Sequence, residues 1–192
     1  LLEAFIDNCG EALDFLEEKT DAEFSILEGY PDYYLDRPGA LKDGGRALDN
    51  KLFDFSILGD WASKVRNNGM PIPMTLAETP LGGGTGIISN EIMSKRVKKD
   101  SRGFGQALVG ALLKGCLDRG IEPQLEIKTK KLIKEGERII GIEIEQDGVL
   151  ETIIARRGVI IATGGFEWNK DFVSTFLRGP LNAPASPPGN DG

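Results

Sequence analysis

The stretch Gly158–Trp168, with the sequence GVIIATGGFEW, constrains the fold of this chain more than any other. Residues 159–162 are apolar, and so short an apolar run between glycines is typical of a strand buried on both faces of a parallel sheet. Thr163 then leads into Gly164 and Gly165 at the carboxyl end of the predicted strand, where ligands bind in open α/β sheets. Glycines carry no Cβ atom and so allow a bulky ligand to contact the backbone. On pattern alone, an ordinary strand that ends in a tight turn is the alternative.

The composition of the chain argues against several classes of function. The 192 residues are enough for one sizeable core, and their apolar share of 40% is ordinary for a globular domain. A net charge of −7 argues against a general binder of nucleic acids or membrane surfaces. The sequence has no histidine, which argues against a zinc site and a Ser-His-Asp triad. We therefore expect neither nucleic acid nor a metal among the partners.

The cellular context is predicted from the N-terminus and the two cysteines. The first ten residues, LLEAFIDNCG, lack a basic region and carry acids early, unlike a secretory signal. No uninterrupted apolar run approaches bilayer length, so membrane association of this segment is not expected. Cys9 and Cys116 lie far apart and suggest no disulfide framework, which fits a reducing compartment. These features predict a cytoplasmic protein.

Apolar spacing divides the chain into helices and strands of an α/β domain. The predicted helices cover 3–18, 56–66, 103–120 and a short stretch after Asn169. The predicted strands begin near Phe24, Gln124, Arg138 and Val149, followed by the parallel core strand at 159–162. The pair Asp147-Gly148 is a strong signal for a two-residue hairpin. The fold class is therefore predicted as α/β, with parallel core strands and an antiparallel β-meander.

Two loops rich in glycine and proline are candidates for function. The loop at 29–46 contains a tyrosine pair at 33–34, and such a pair is more often a packing element than a catalytic one. The loop at 71–86 is rich in glycine but lacks the Gly-Lys-Ser/Thr of a phosphate-binding loop, so a flexible loop is predicted. Glu78 within it has no evident partner. The basic cluster at 95–102 is interpreted as a solvated helix end followed by a loop.

The chain also lacks one unit that dinucleotide-binding domains require. It contains no strand–GxGxxG–helix segment, whose turn holds the pyrophosphate of a dinucleotide. It begins at Leu1 without a methionine and ends in a tail rich in proline and glycine. We therefore expect residues 1–192 to be an internal piece of a longer protein.

Two motifs of the chain resemble one superfamily of flavoproteins. The string ATGGF, followed by Asn169, closely resembles the last sheet strand of the flavin domain in the fumarate reductase and 3-ketosteroid dehydrogenase superfamily. The string PDYY at 31–34, followed by a GR pair, is similar to the 3-ketosteroid Δ1-dehydrogenase branch. The resemblance implies that 1–192 is an incomplete FAD-binding domain of the glutathione-reductase-like Rossmann type. The N-terminal GxGxxG unit and the following substrate domain would then lie outside it.

The resemblance also implies where FAD binds. The ATGG turn of the superfamily lies against the cofactor, and its residues here are Ala162, Thr163, Gly164 and Gly165. In the same superfamily, backbone atoms just before the meander hydrogen-bond the adenine. Lys128 and Thr129 stand at the matching place, where many relatives carry Val. A backbone contact does not depend on that side chain.

Tyr33 is the catalytic candidate that the resemblance implies. In the 3-ketosteroid dehydrogenase branch, the first tyrosine of the pair projects into the steroid site and assists proton removal. A phenol has a reference pKa of about 10, so it needs a partner or an electrostatic effect to act near neutrality. The family supplies a second tyrosine from its substrate domain. Tyr34, Arg37 and Arg46 are expected to pack the loop or pair with carboxylates.

The function implied is that of an FAD-dependent oxidoreductase acting on a CH–CH bond next to a carbonyl. A base removes one proton while the flavin takes hydride from the adjacent carbon. The substrate is expected to be a small molecule, either a ketosteroid or a dicarboxylate-like compound. A flavoprotein of the fumarate reductase or succinate dehydrogenase type is one alternative, and an interaction domain without flavin is another. We expect residues 1–192 alone to be inactive and to hold FAD weakly.

Overall fold

The computed structural model describes residues 1–66, 71–179, 181–186 and 189–192. The chain divides into two compact units, Leu1–Glu122 and Pro123–Gly192. The α-helices are α1 (Leu2–Lys19), α2 (Asn90–Lys98), α3 (Phe104–Leu117) and α4 (Lys170–Phe176). The strands are β1 (Phe24–Glu28), β2 (Gly44–Asn50), β3 (Phe53–Asp54), β4 (Ser101–Arg102), β5 (Lys128–Glu135), β6 (Arg138–Gln146) and β7 (Val149–Ile154). The predicted mixture of helices and strands is confirmed.

The core of the first unit forms where α3 packs on β3 and the residues after it. Phe55 is fully buried there, and its ring stands edge-on to that of Phe53, with 5.8 Å between ring centres. Gly110 of α3 faces both rings, because a Cβ atom at this position would lie 2.7 Å from each. The absence of a side chain at Gly110 therefore allows α3 to approach these rings closely. The short helix predicted at 56–66 is a 3-10 helix, Phe55–Ser63.

The second unit contains the antiparallel meander predicted by the sequence. Strand β6 lies in the middle and pairs with β5 on one side and β7 on the other. Asp147 and Gly148 connect β6 to β7 with positive φ angles of 52° and 78°, as a two-residue hairpin requires. Ile144 of β6 is buried, as the alternating pattern predicts.

The predicted parallel core strand at 159–162 differs from the structure. Strand pairing among the described residues is antiparallel throughout, and 159–162 belong to no strand. The physical reason is that a strand needs a neighbour for its backbone hydrogen bonds. Among the described residues no strand pairs with 159–162, so their backbone groups lack the partners that a sheet would supply.

The predicted flexible loop at 71–86 is instead closely packed on itself. A Cβ atom at Gly82 would lie 2.1 Å from the carbonyl oxygen of Leu76, and one at Gly84 would lie 2.4 Å from that of Glu78. These glycines therefore allow the backbone to fold against itself, where any side chain would collide. The basic cluster that follows lies partly in α2, which a Ser89 side chain caps at its N-terminus.

Candidate functional site

The loop that carries Tyr33 is the connection between β1 and β2. Opposite sides of the loop are joined by a hydrogen bond from the Gly29 N–H to the Asp43 carbonyl, at 3.2 Å. A second pair joins Asp32 and Leu41, because the Asp32 N–H donates to the Leu41 carbonyl (3.0 Å) and the Leu41 N–H donates to Asp32 Oδ2 (2.9 Å). The loop is thus a closed structure with its own backbone hydrogen bonds, rather than an irregular segment.

An ion pair fixes the same loop to β2. Arg46 Nε lies 3.0 Å from Asp32 Oδ2, and the Arg46 guanidinium also donates to the carbonyl of Gly39. The Asp32 carboxylate is the less exposed partner of the pair. This arrangement confirms that Arg46 pairs with a carboxylate and anchors the loop. Asp32, the residue directly before Tyr33, is therefore held on two sides.

Tyr33 itself is 86% exposed, and its hydroxyl oxygen lies 3.3 Å from that of Tyr30. The hydrogen bond with Tyr33, followed by the charge that Tyr33 would carry, raises the pKa of Tyr30 above its ordinary value. The sequence analysis did not identify Tyr30. The signal was an aromatic residue three positions before Tyr33, in the string GYPDYY.

Tyr33 borders an open depression of about 390 Å³. Its lining includes three charged side chains, of Asp32, Arg37 and Arg46. Arg46 pairs with Asp32, so Arg37 provides the excess positive charge of the lining. The contact of Arg37 with Asp36 is long, at 3.8 Å, and both side chains are exposed. Exposed pairs of this kind contribute little stability.

The predicted cofactor segment lies in the second unit and is extended. Ile160 is 93% exposed and Ile161 is 67% exposed. Gly164 has a φ angle of 80°, which favours glycine, and a Cβ atom built there would meet no atom within 4 Å. The segment therefore presents apolar side chains followed by bare, open backbone.

The residues after this segment form a compact turn. A Cβ atom at Gly165 would lie 2.1 Å from the Glu167 carboxylate, which also accepts a hydrogen bond from the Asn190 amide at 2.9 Å. Hydrogen bonds from Ser186 and then Asn190 hold the pKa of Glu167 below its ordinary value. Asn169 caps α4 through hydrogen bonds to two backbone N–H groups, both at 3.1 Å, as its position predicts. This turn fixes the direction in which the chain leaves the glycines.

Lys128 and Thr129 lie at the start of β5, an edge strand of the meander. Lys128 is opposite Glu145 and Thr129 is opposite Ile144 in the pairing with β6. The register shifts directly after Thr129, so the backbone here is irregular. An edge strand leaves backbone N–H and C=O groups on its outer side, and these are the groups that can contact an adenine.

These observations test whether the second unit suits FAD. The open backbone at Gly164 and the edge position of β5 each fit a large, planar group with polar edges. Ala162, Thr163 and Gly165 lie in the same segment as Gly164, and Lys128 and Thr129 lie in the same unit. Tyr33 lies in the other unit.

The described residues show two further features that bear on function. No three His, Cys, Asp or Glu side chains within these ranges gather as ligands for a metal ion. Among the same residues, no helix combines the length and the apolarity needed to cross a bilayer.

Two curated relatives match the chain over most of its length. The 4-oxocyclohexanecarboxylate 2-dehydrogenase of Sinomonas cyclohexanicum is 33% identical over 100% of this chain and 34% of its own. The 3-oxosteroid 1-dehydrogenase of Mycobacterium tuberculosis is 27% identical over 94% of this chain and 35% of its own. The chain thus spans about a third of the length of these relatives.

A solved structure and a family model agree with these matches. The crystal structure of 3-ketosteroid delta1-dehydrogenase from Sterolibacterium denitrificans, in complex with 1,4-androstadiene-3,17-dione, has a TM-score of 0.82 and 29% identity. The match covers 100% of this chain and 39% of that one. The family model described as FAD binding domain matches residues 1–192. The chain therefore belongs to the FAD binding domain family and is homologous to dehydrogenases of 3-oxosteroids and of oxocyclohexanecarboxylates.

Proposed function

We propose that the protein containing this chain is an FAD-dependent dehydrogenase that converts a CH–CH bond beside a ring carbonyl into a C=C bond. The observation that carries the proposal is the exposed Tyr33 hydroxyl at the edge of a depression, within a chain homologous to dehydrogenases. The relatives are named for ketones on six-membered rings. A hydrogen beside such a carbonyl is acidic enough for a positioned base to remove.

The residues proposed to hold FAD are Ala162, Thr163, Gly164 and Gly165, with backbone contacts from Lys128 and Thr129 to the adenine. In the complete protein, 159–162 would form a parallel strand of a Rossmann-type sheet and place the glycines at its carboxyl edge. The exposed Ile160 and Ile161 support this proposal, because a strand buried between neighbours would cover them. When bound, FAD supplies the acceptor for the hydride.

Tyr33 is proposed to handle the proton. Its phenolic oxygen would accept the proton from the carbon beside the carbonyl, and the electrons of the adjacent C–H bond would leave as hydride. The electron pair of the C–H bond beside the carbonyl would become the second bond of the C=C, which leaves an α,β-unsaturated ketone and a protonated Tyr33. The loop would position Tyr33, because the ion pair of Asp32 with Arg46 holds the residue directly before it.

The charge of the depression favours a ketone that carries a carboxylate. Arg37 is the cation of the lining whose ion-pair partner, Asp36, lies outside the lining, and a guanidinium binds a carboxylate through two parallel hydrogen bonds. A neutral steroid gains nothing from this charge. We therefore propose a carboxylated cyclic ketone as the preferred substrate and a 3-ketosteroid as the second candidate.

Turnover by the complete, FAD-loaded protein tests this function. We expect oxidation of 4-oxocyclohexanecarboxylate with an artificial electron acceptor and no comparable turnover of succinate or fumarate. Tyr33→Phe should reduce kcat by at least about 100-fold, since general acid–base catalysis contributes about that factor or more. Tyr34→Phe is the matched control, because it removes a phenol from the next position. Equal activity of Tyr33→Phe and the wild type would exclude the proposed role, and preferential turnover of fumarate would favour the fumarate reductase alternative.

A separate variant tests the substrate class. Arg37→Gln should raise KM for 4-oxocyclohexanecarboxylate by about tenfold, the value of one charged hydrogen bond, and leave KM for cyclohexanone unchanged. Lys42→Gln, which removes a cation from the same loop outside the depression, is the control. An equal rise in KM for both ketones would show that Arg37 acts on the loop and not on the carboxylate.

We also propose that residues 1–192 form an incomplete FAD-binding domain. Its length is about a third of that of the relatives, and Ile160 and Ile161 lack cover among the described residues. The isolated polypeptide should therefore bind FAD more weakly than micromolar and show no turnover. A fluorescence titration measures this, and a dissociation constant at or below a micromolar value would contradict the proposal.

A further inference from the structure

Tyr30 is a second phenol in contact with Tyr33 in the loop described above. The two hydroxyl oxygens lie 3.3 Å apart, within hydrogen-bonding distance. Tyr33 is almost fully exposed, whereas Tyr30 is half-buried. The contact therefore joins an exposed side chain to one that the fold partly covers.

The backbone of Tyr30 is fixed by the first residue of β2. A Cβ atom at Gly44 would lie 2.7 Å from the Tyr30 nitrogen and 2.9 Å from its carbonyl oxygen, so the two backbones touch. Tyr30 also directly follows Gly29, which hydrogen-bonds across the loop to Asp43. The pairing of β1 with β2 therefore fixes the backbone position from which the Tyr30 side chain extends.

We propose that Tyr30 is a positioning residue for Tyr33: its hydroxyl holds the Tyr33 oxygen at the depression and donates a hydrogen bond to that oxygen when it carries the negative charge. The inference rests on the proposed function, in which Tyr33 accepts the proton. It adds a second phenol from this chain itself to the proton-handling group.

Chemistry supports the direction of this hydrogen bond. A donor to a phenolate oxygen stabilises the charged form, which is the form that accepts a proton. The hydrogen bond with Tyr33 raises the pKa of Tyr30, which favours the protonated form of Tyr30, the form that can donate. The other titratable or charged groups that line the depression with Tyr33 are Asp32, Tyr34, Arg37 and Arg46.

The test is the pH dependence of kcat/KM for 4-oxocyclohexanecarboxylate in the complete, FAD-loaded protein. Tyr30→Phe keeps the ring and removes the hydroxyl. We expect the pH midpoint of the rising limb to move up by about half to one unit, as the loss of one hydrogen bond predicts. At neutral pH, kcat should fall by roughly three- to tenfold with KM unchanged within about twofold. Lys42→Gln, a change in the same loop outside the depression, is the control and should leave the midpoint where it is.

A second measurement separates positioning from a general structural effect. With a substrate deuterated beside the carbonyl, the kinetic isotope effect on kcat should increase in Tyr30→Phe, because proton removal becomes slower than the other steps. In the Tyr33→Phe background, adding Tyr30→Phe should cause no further loss. The visible spectrum of bound FAD reports whether each variant is folded.

The outcomes distinguish this inference from the proposed function. If wild type turns over the ketone but Tyr30→Phe leaves the pH midpoint and isotope effect unchanged, the role of Tyr30 is wrong and the function stands. Additive losses in the double variant would also overturn it, because the two hydroxyls would then act independently. If wild type turns over no cyclic ketone, the function fails and the inference fails with it.

Discussion

Replacing Glu78 by Gln is expected to loosen the segment before α2, because Glu78 is the carboxylate that ties this segment to the helix. Its two oxygens accept hydrogen bonds from the Arg96 guanidinium at 2.7 and 2.8 Å. One of them also accepts from the Thr75 N–H at 2.9 Å. The neighbouring Ala77 N–H donates to Asp49 of β2 at 3.1 Å. The pair therefore stabilises a segment that contacts the strand carrying the Arg46 anchor.

The burial of the pair sets the size of the effect. The side chains of Arg96 and Glu78 are 20% and 30% exposed, between a surface pair and a buried one. Breaking an exposed pair costs about 0.2–1 kcal/mol and breaking a buried one about 3–5 kcal/mol. We expect Glu78→Gln to cost about 2 kcal/mol of local stability. This corresponds to amide exchange about 30-fold faster.

Hydrogen exchange in the complete protein measures this, followed over peptides that cover 72–98. Glu91→Gln is the matched control, because Glu91 and Lys95 form an i,i+4 pair on α2 with side chains 78% and 71% exposed. Its expected cost is about 0.3–0.5 kcal/mol, or roughly a twofold change in exchange. Equal effects of the two variants would refute the argument that burial gives the Glu78 pair its strength.

The same pair predicts a dependence on pH. The hydrogen bonds from Arg96 lower the pKa of Glu78 below its ordinary value of 4.5, and this outweighs the opposing effect of burial. A group with a lowered pKa in the folded state stabilises the fold above its unfolded pKa and loses that contribution as the pH falls. Protection of 72–98 should therefore be constant near neutrality and decrease below about pH 4.5 in wild type. In Glu78→Gln this decrease should be smaller, and an identical pH profile would contradict the assignment.

Three other changes have expected outcomes. Gly110→Ala should lower the free energy of unfolding by about 1–3 kcal/mol, because the added Cβ would lie 2.7 Å from the Phe53 and Phe55 rings. Gly105→Ala meets nothing within 4 Å and should raise the free energy of unfolding by about 0.5–1 kcal/mol. Thermal unfolding of the two variants compares these effects. Asn169→Ala should cost about 1 kcal/mol and speed exchange in α4 about fivefold, since it removes the cap. Ile160→Ser should destabilise the complete protein by at least about 1.5 kcal/mol but leave the isolated chain unchanged, and equal effects would contradict the proposed strand.

Local signals in the sequence were sufficient for the elements that depend on neighbours along the chain. The Asp147-Gly148 pair predicted the hairpin, because the positive φ angles of its two-residue turn select such residues. Asn169 predicted the start of α4, because its side chain satisfies N–H groups only two and three residues away. In both places the interaction that decides the structure lies within a few residues.

Contacts between distant residues account for what the sequence did not reveal. The loop at 71–86 was predicted to be flexible because its glycines suggest freedom, yet Gly82 and Gly84 serve close packing of the backbone. The partner of Glu78 is 18 positions away on α2, a helix whose start was not predicted. Tyr30 was not predicted, because the contact of its hydroxyl with that of Tyr33 depends on the path of the loop. The spacing of residues in the sequence does not determine that path.

The segment at 159–165 has two halves with different exposed surfaces. Burying an isoleucine side chain stabilises a protein by about 1.5–3 kcal/mol, and Ile160 and Ile161 leave most of this unrealised at 93% and 67% exposure. An adjacent strand would cover both side chains and pair their backbone groups, which a cofactor at the glycines would not do. Gly164, with no atom within 4 Å of its absent Cβ, offers a protein side chain nothing to pack against. This difference is the reason for proposing neighbouring strands as the partner of the apolar half and FAD as the partner of the glycine half.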